Sequence, residues 1–154
     1  MTVYFFDSSA LVKRYVAEIG SSWVLSLCNP NLKNNVFIAA ITAVEITAAV
    51  SRRAKGGNIN PKDAKTVYLQ FKNDIQSEYQ VVEITDNIIN SAMTIAEKHG
   101  LRGYDAVQLA AAKAVNDLCI ANNLHSLTFV SADQELNNAA VTEGLVVDNP
   151  NNHP

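Results

Sequence analysis

The sequence predicts an α/β protein with a central, mainly parallel sheet. Two observations predict this fold class. Short apolar runs rich in β-branched and aromatic residues recur along the chain, and segments with helical periodicity separate most of them. Strands that alternate with helices form parallel sheets, because each helix carries the chain back along the sheet. The predicted strands are residues 3–6, 36–39, 79–84, 127–130 and 145–147.

Signals for helix starts and stops identify three of the intervening helices. Asn60 and Pro61 begin a segment that runs to about Glu78, and Asp86 caps a second segment that ends before Gly100. A third segment, 42–57, is apolar up to position 51 and then basic as far as two glycines, which predicts a buried helix with a solvated C-terminal end.

Length and composition indicate a single domain, and its net charge does not by itself favour binding to nucleic acid. The 154 residues are 48% apolar, which suits one compact core, and we expect one domain over residues 1–148. Residues 149–154 form a polar Asn/Pro tail that we expect to be disordered. The formal net charge is −3, so a polyanionic partner would need a local basic patch or bound cations.

Cysteine spacing and hydropathy favour a cytoplasmic protein. Cys28 and Cys119 have no CxxC spacing, and we expect both thiols to be reduced. The apolar runs are too short to cross a bilayer, and the N-terminus lacks the pattern of a signal peptide. We therefore expect a protein of the cytoplasm that does not contact membranes.

Four acidic residues occur where predicted strands end or helices begin. Asp7 follows the first strand and Asp133 follows the fourth, while Glu45 and Asp105 stand near the starts of helices. Each has a purely structural explanation, because an acid at an N-cap or in the first helical turn satisfies free backbone N–H groups and the helix dipole. Individually, none of the four indicates a function.

Two local patterns strengthen that structural explanation. Thr42-x-x-Glu45 and Ser131-x-x-Gln134 both fit the capping box, in which two side chains satisfy backbone N–H groups at a helix start. Glu45, however, is the only charged residue between positions 36 and 51. An ionised carboxylate in so apolar a segment is costly unless a cation, a metal or hydrogen bonds compensate it. For Glu45 the sequence leaves both explanations open.

As a set, the acids favour a metal-dependent reaction. Parallel strands bring their carboxyl ends to one edge of the sheet, where α/β proteins bind their ligands. Carboxylates brought together there repel one another unless a divalent cation lies between them, and their oxygens suit Mg²⁺ or Mn²⁺. Such an ion activates the water that attacks a phosphodiester. The pattern therefore favours nuclease chemistry.

Four segments resemble the motifs of a known family. They are FFDSSALVKRY (5–15), TAVEITAAV (42–50), LRGYDAVQLAAA (101–112) and FVSADQELNNAA (129–140). In this order they resemble the PIN-domain ribonucleases, and most of all the VapC-type toxins of type II toxin-antitoxin systems. The resemblance covers nearly the whole chain. It implies a PIN-like three-layer α/β/α sandwich built around the parallel sheet.

The resemblance also implies an activity, its residues and its partners. It implies a pocket that binds Mg²⁺ or Mn²⁺ and cleaves RNA endonucleolytically. The family's four acidic positions are matched in order by Asp7, Glu45, Asp105 and Asp133. Hydroxyl residues that would position water or a metal ligand are Ser8, Ser9 and Ser131. Stand-alone family members of this size usually pair with a small antitoxin and often form homodimers, so both kinds of partner are implied.

Five basic residues are candidates for contacts with RNA phosphates. They are Lys13, Arg14, Arg52, Arg53 and Arg102. The first two follow Asp7 on the first helix, the next two end the helix that contains Glu45, and the last precedes Asp105. A track of such residues would supply the local positive potential that the net charge does not. Each is also explained as a solvated helix end, and that explanation stays open.

Other functions fit the sequence less well. Haloacid-dehalogenase-like phosphatases and response-regulator receivers also place an Asp after the first strand. The phosphatases need a second Asp where Ser9 stands, and the receivers need paired acids near that strand. A catalytically silent PIN-like module that binds RNA or protein would lack one of the four acids, and none is missing. The sequence therefore favours an enzyme.

Overall fold

A computed structural model describes residues 1–154 and has a five-stranded sheet in which every neighbouring pair is parallel. The strands are β1 (Val3–Phe6), β2 (Asn35–Ala39), β3 (Tyr79–Val82), β4 (Thr128–Val130) and β5 (Val146–Asp148). Their order across the sheet is β3-β2-β1-β4-β5. All five predicted strands are therefore confirmed, although β3 ends two residues earlier than predicted.

Seven α-helices accompany the strands. They are α1 (Ser8–Tyr15), α2 (Ser21–Leu27), α3 (Thr42–Lys55), α4 (Pro61–Ser77), α5 (Asp86–His99), α6 (Gly103–Ala121) and α7 (Gln134–Thr142). Two short 3-10 helices lie at Pro30–Leu32 and Pro150–Asn152. The three helices identified from start and stop signals are α3, α4 and α5. None of the helices has the length and apolar character needed to span a bilayer.

The sheet separates two apolar cores, which makes the fold a three-layer α/β/α sandwich. Successive residues of a strand face opposite sides, so Phe5 of β1 packs in the core formed by α5, α6 and α7, while Phe6 packs in the core formed by α1 to α4. Phe5 stacks on Phe129 of β4 with 5.9 Å between ring centroids. The architecture implied by the family motifs is confirmed.

The strand order determines which edge can hold a ligand. The chain runs from the central strand β1 to β2 and β3 on one side, and it later adds β4 and β5 on the other. The connections after β1 and β4 therefore diverge where the order reverses, which is where open parallel sheets bind ligands. Asp7 directly follows β1, and Asp133 is the third residue after β4, at this same edge.

Three helix starts differ from the predicted ones. Thr85 rather than Asp86 caps α5, because the Thr85 hydroxyl accepts a hydrogen bond from Ile88 N at 3.3 Å. Neither capping box forms. Thr42 is already helical and its hydroxyl accepts from a side chain of α6, while Asp133 itself caps α7. The Thr42 and Ser131 hydroxyls thus bind distant partners that the tertiary fold brings close, whereas the caps of α5 and α7 are local bonds made by a neighbouring residue.

The C-terminal tail is folded, so the prediction of a disordered tail is wrong. Pro150 is buried against Gly20, whose φ of 87° and close approach to the Pro150 carbonyl leave no room for a Cβ. His153 stacks on Trp23 with 4.1 Å between ring centroids, and its Nε2 lies 2.8 Å from Asp148 Oδ1. Contacts between residues far apart in sequence order the tail, and local composition does not reveal them.

Candidate active site

The edge where β1 and β4 end is held together by backbone and hydroxyl hydrogen bonds. Asp7 N donates to the Val130 carbonyl at 3.1 Å. The Ser9 hydroxyl accepts from Ala132 N at 2.9 Å, and the Ser131 hydroxyl accepts from Asp133 N at 3.1 Å. The first two bonds join the end of β1 and the start of α1 to β4 and the loop that leads into α7, and the third fixes Asp133 within that loop. The acids of the two segments are therefore held close to each other.

Asp7 is the most buried of the four acids, with 3% of its surface exposed. It caps α1: its Oδ1 accepts from Ala10 N at 2.9 Å and from the Ser9 hydroxyl at 2.7 Å, and its Oδ2 accepts from the Ser131 hydroxyl at 2.6 Å. Burial raises the pKa of Asp7 to about 6, against the opposing effect of these hydrogen bonds. Asp7 thus both caps a helix and lies in the site.

Asp105 and Asp133 occupy helix starts on neighbouring elements. Asp133 caps α7 by accepting from Leu136 N at 3.1 Å. Asp105 lies in the first turn of α6, and its carboxylate accepts no hydrogen bond within the protein. Burial and then the nearby charges of Asp133 and Glu45 raise the pKa of Asp105, while Arg102 opposes this shift. Burial is the main cause of the raised pKa of Asp105, and the charges of Asp133 and Glu45 add to it because they lie close by.

Glu45 reaches the site from α3 and is held by a side chain that the sequence reading did not single out. Gln108 of α6 donates from Nε2 to Glu45 Oε1 at 2.8 Å and to the Thr42 hydroxyl at 2.8 Å. The same nitrogen lies 3.2 Å from the Ser8 hydroxyl. The one signal in the sequence is position: Gln108 is the only polar residue between Asp105 and Lys113 on an Ala-rich helix.

The donor set suits a hard divalent cation. None of the four carboxylates is among the protein's ion pairs with Lys, Arg or His. Uncompensated carboxylate oxygens beside hydroxyls are the ligands that Mg²⁺ and Mn²⁺ prefer. No three Asp, Glu, His or Cys side chains converge closely enough to enclose a metal ion, and three of the four acids, Glu45, Asp105 and Asp133, instead line an open space.

This open space is a cleft of about 800 Å³ between α3 and the start of α6. Glu45, Asp105 and Asp133 line it, together with Ser8 and Ser9. Two exposed apolar side chains also line it: Val44 of α3 is 68% exposed and Tyr104 of α6 is 63% exposed. Neither residue was predicted to line a site, because Val44 belongs to the apolar run that begins α3 and Tyr104 is a single aromatic residue beside Asp105.

Three of the five basic candidates lie on this cleft. Arg52, Arg53 and Arg102 all line it. Arg53 pairs with Glu18, whereas Arg52 and Arg102 are exposed and form no ion pair. The cleft is thus lined both by acids without a cationic partner and by two exposed arginines that form no ion pair.

The other two basic candidates point into the protein, and their assignment to a phosphate track was wrong. Lys13 is 5% exposed and pairs with Glu18 at 3.1 Å. Arg14 donates from Nη1 to Glu78 at 2.7 Å and to the Tyr79 hydroxyl at 2.6 Å. Both side chains lie on the face of α1 that packs on its neighbours, which a helix of eight residues does not reveal from its sequence.

A comparison with known protein families shows which family the chain belongs to. The model of the PIN domain family matches residues 4–141. The chain belongs to this family. Ribonucleases VapC45 and VapC49 of Mycobacterium tuberculosis are each 31% identical to this PIN domain over 120 residues, which are 76% of this chain and 79% of each relative.

Solved structures share the fold of this PIN domain. FitAcB from Neisseria gonorrhoeae superposes with a TM-score of 0.67 at 18% identity, covering 96% of this chain and 97% of that one. PAE2754 from Pyrobaculum aerophilum gives 0.65 at 20% identity, covering 95% and 83%. A toxin-antitoxin complex from Klebsiella pneumoniae gives 0.61 at 18% identity, covering 96% and 97%. At these identities the likeness establishes the fold.

Proposed function

We propose that this PIN domain is a metal-dependent endoribonuclease that hydrolyses RNA phosphodiester bonds. The observation that carries the proposal is a set of four acids, none with a cationic partner, gathered where β1 and β4 end. The relatives named ribonuclease VapC support RNA as the substrate. The open cleft suits a polymer, because a chain can enter and leave it sideways.

The acids and hydroxyls have separate roles in this proposal. The residues that would hold Mg²⁺ or Mn²⁺ are Asp7, Glu45, Asp105 and Asp133. When bound, the ion lowers the pKa of water and stabilises charge on the phosphate oxygens. Ser9 and Ser131 fix the Asp7 carboxylate by donating to its two oxygens at 2.7 and 2.6 Å. The Ser8 hydroxyl contacts none of the acids directly; it accepts from Gln108 Nε2, the same nitrogen that donates to Glu45.

Metal binding offers a test that needs no knowledge of the RNA target. Titration calorimetry with Mn²⁺ at neutral pH is expected to show binding by the wild type and weaker binding by Asp133→Asn. Asparagine is as good an N-cap as aspartate, so this variant should keep α7 intact. Cleavage of a labelled RNA should require Mn²⁺ or Mg²⁺ and stop on addition of a chelator.

The opposite result would favour the other function considered for this sequence. If the wild type binds no Mn²⁺, even with a short RNA present, the four acids do not form a metal site, and the role left to Asp7 and Asp133 is that of helix caps. The protein would then be a catalytically silent PIN-like module that binds RNA or protein.

Arg52 is expected to contact an RNA phosphate. Arg52→Glu should weaken binding of a short RNA and lower the slope of log K against log salt concentration by about 1, because one counterion-releasing contact is lost. Fluorescence anisotropy in an Asp105→Asn background measures this without cleavage. Lys72→Glu is the matched control, since Lys72 is exposed on α4 and does not line the cleft. Equal slopes for wild type and Arg52→Glu would remove Arg52 from the RNA path.

We further propose a cognate antitoxin and a homodimer as partners. Toxin-antitoxin complexes are among the structural neighbours, which supports the first. The exposed Val44 and Tyr104 at the cleft give an antitoxin apolar side chains to cover, and the uncompensated acids that also line the cleft suit an arginine. Co-purification with the product of the neighbouring open reading frame tests the antitoxin. A monomer that copurifies with nothing would count against both partners.

A further inference from the structure

Gln108 lies where three helices meet beneath the cleft. Its side chain is 2% exposed, and its Nε2 contacts Ser8 of α1, Thr42 of α3 and Glu45 of α3. Its Oε1 is buried and has no hydrogen-bond partner. A buried amide that leaves its acceptor unsatisfied is unfavourable for folding, because the lost hydration is not replaced. Stability alone therefore does not explain a glutamine at this position.

Glu45 alone determines the orientation of this amide. The hydroxyls of Ser8 and Thr42 can donate or accept, so either end of the amide would satisfy them. An ionised carboxylate can only accept, so it requires the Nε2 end. The reverse orientation would offer hydroxyl donors to Oε1 but would place it against the Glu45 carboxylate. The amide leaves its own oxygen unpaired and donates to Glu45.

We propose that Gln108 is a positioning residue that sets the Glu45 carboxylate relative to Asp105. Gln108 and Asp105 are three residues apart on α6 and so lie on one face of that helix. By binding Oε1 of Glu45 at 2.8 Å, Gln108 ties an acid of α3 to the turn that presents Asp105. Glu45 Oε2 accepts no hydrogen bond from the protein and stays available to the cleft. This inference rests on the proposed function, because it assigns the pair a shared ion.

Gln108→Met tests the inference directly. Methionine has nearly the volume and length of glutamine, fills irregular space and removes the unpaired oxygen together with the donor. The variant should therefore unfold cooperatively with a midpoint near that of the wild type. Its Mn²⁺ affinity should fall about 10- to 100-fold, which is the usual effect of removing a group that orients a metal ligand. Gln108→Glu should bind Mn²⁺ no more tightly than Gln108→Met does, since it replaces the amide donor with a carboxylate that repels Glu45.

The same helix provides a matched control. Asn116 is also a buried amide of α6, at 7% exposure and about three turns beyond Asp105, and its Oδ1 accepts from Leu127 N at 3.0 Å. Asn116→Leu leaves that N–H unpaired and should lower the unfolding midpoint, yet Mn²⁺ affinity should be unchanged. Comparing the two variants separates a loss of stability, expected in Asn116→Leu, from a loss of Glu45 positioning, expected in Gln108→Met.

A spectroscopic readout follows Gln108 itself. In ¹⁵N-labelled protein, its side-chain NH₂ signals are identified by their absence from Gln108→Met, and titration with Mg²⁺ should shift them. Wild-type Mn²⁺ affinity in Gln108→Met, or NH₂ signals that do not move while other signals near the cleft do, would overturn the positioning role and leave the proposed function standing. A wild type that binds no Mn²⁺ would overturn both.

Discussion

Asp105→Asn is expected to reduce RNA cleavage by at least about 100-fold, the effect of losing one group that stabilises charge in a transition state, while the fold stays intact. Asp105 accepts no hydrogen bond from the protein, so the amide of asparagine breaks none. The variant also removes a charge that Asp133 and Glu45 repel, as the raised pKa of Asp105 indicates. The thermal midpoint should therefore equal or exceed that of the wild type at neutral pH.

Cleavage rate and thermal midpoint have to be measured on the same preparation. Asp117→Asn is the matched control: Asp117 is an exposed acid on α6 with no ion pair, and it lies three turns beyond the cleft. It should cleave RNA like the wild type. Full activity in Asp105→Asn would exclude Asp105 from the reaction, and a large fall in its midpoint would show that its charge serves the fold instead.

Asp7→Asn is a poorer test of whether the acids of the site take part in RNA cleavage. The Asp7 carboxylate accepts from Ala10 N, the Ser9 hydroxyl and the Ser131 hydroxyl. An asparagine has one acceptor and one donor end, so its NH₂ group would face a group that donates now. Loss of activity in Asp7→Asn therefore mixes a chemical effect with a structural one, which Asp105→Asn avoids.

The strands were predictable because each is a short apolar run between turn-forming residues. Phe5 and Phe6 illustrate the limit of that information. Both are plainly core residues in the sequence, but only the completed sheet assigns them to opposite cores. The same limit applies to the tail. His153 is ordered by Trp23, a residue 130 positions earlier, and composition alone suggested disorder.

The acids were predictable as a set, but the hydrogen bonds that hold them were not. The family resemblance of four motifs in order predicted Asp7, Glu45, Asp105 and Asp133 as the site acids, and the fold places them around one edge of the sheet. Thr42 and Ser131 fitted local capping boxes in the sequence, yet they bind Gln108 and Asp7, which are distant in the chain. A sequence pattern such as the capping box predicts only partners that are close in the chain. A short polar side chain, however, binds whichever group the fold brings nearest.

Arg14→Met is expected to lower the free energy of unfolding by about 3–5 kcal/mol, the usual cost of removing one partner of a buried ion pair. The Arg14 side chain is 10% exposed and joins α1 to α4 and β3. Besides Glu78 and the Tyr79 hydroxyl, it lies 3.7 Å from Asp74, whose side chain is 5% exposed. Without Arg14, the Asp74 carboxylate keeps only the Tyr15 hydroxyl as a donor, at 2.7 Å.

Urea unfolding of single and double variants separates this structural role from RNA contact. Arg52→Met, at an exposed residue of the cleft, should change the free energy of unfolding by no more than about 0.5 kcal/mol. Arg14→Met combined with Asp74→Asn should cost less than the sum of the two single changes, because the double variant leaves no unpaired buried charge. The folded fraction of Arg14→Met should bind RNA as the wild type does. If Arg14→Met were as stable as the wild type but bound RNA more weakly, Arg14 would contact RNA phosphates after all. Its contacts with Asp74, Glu78 and Tyr79 would then not stabilise the fold.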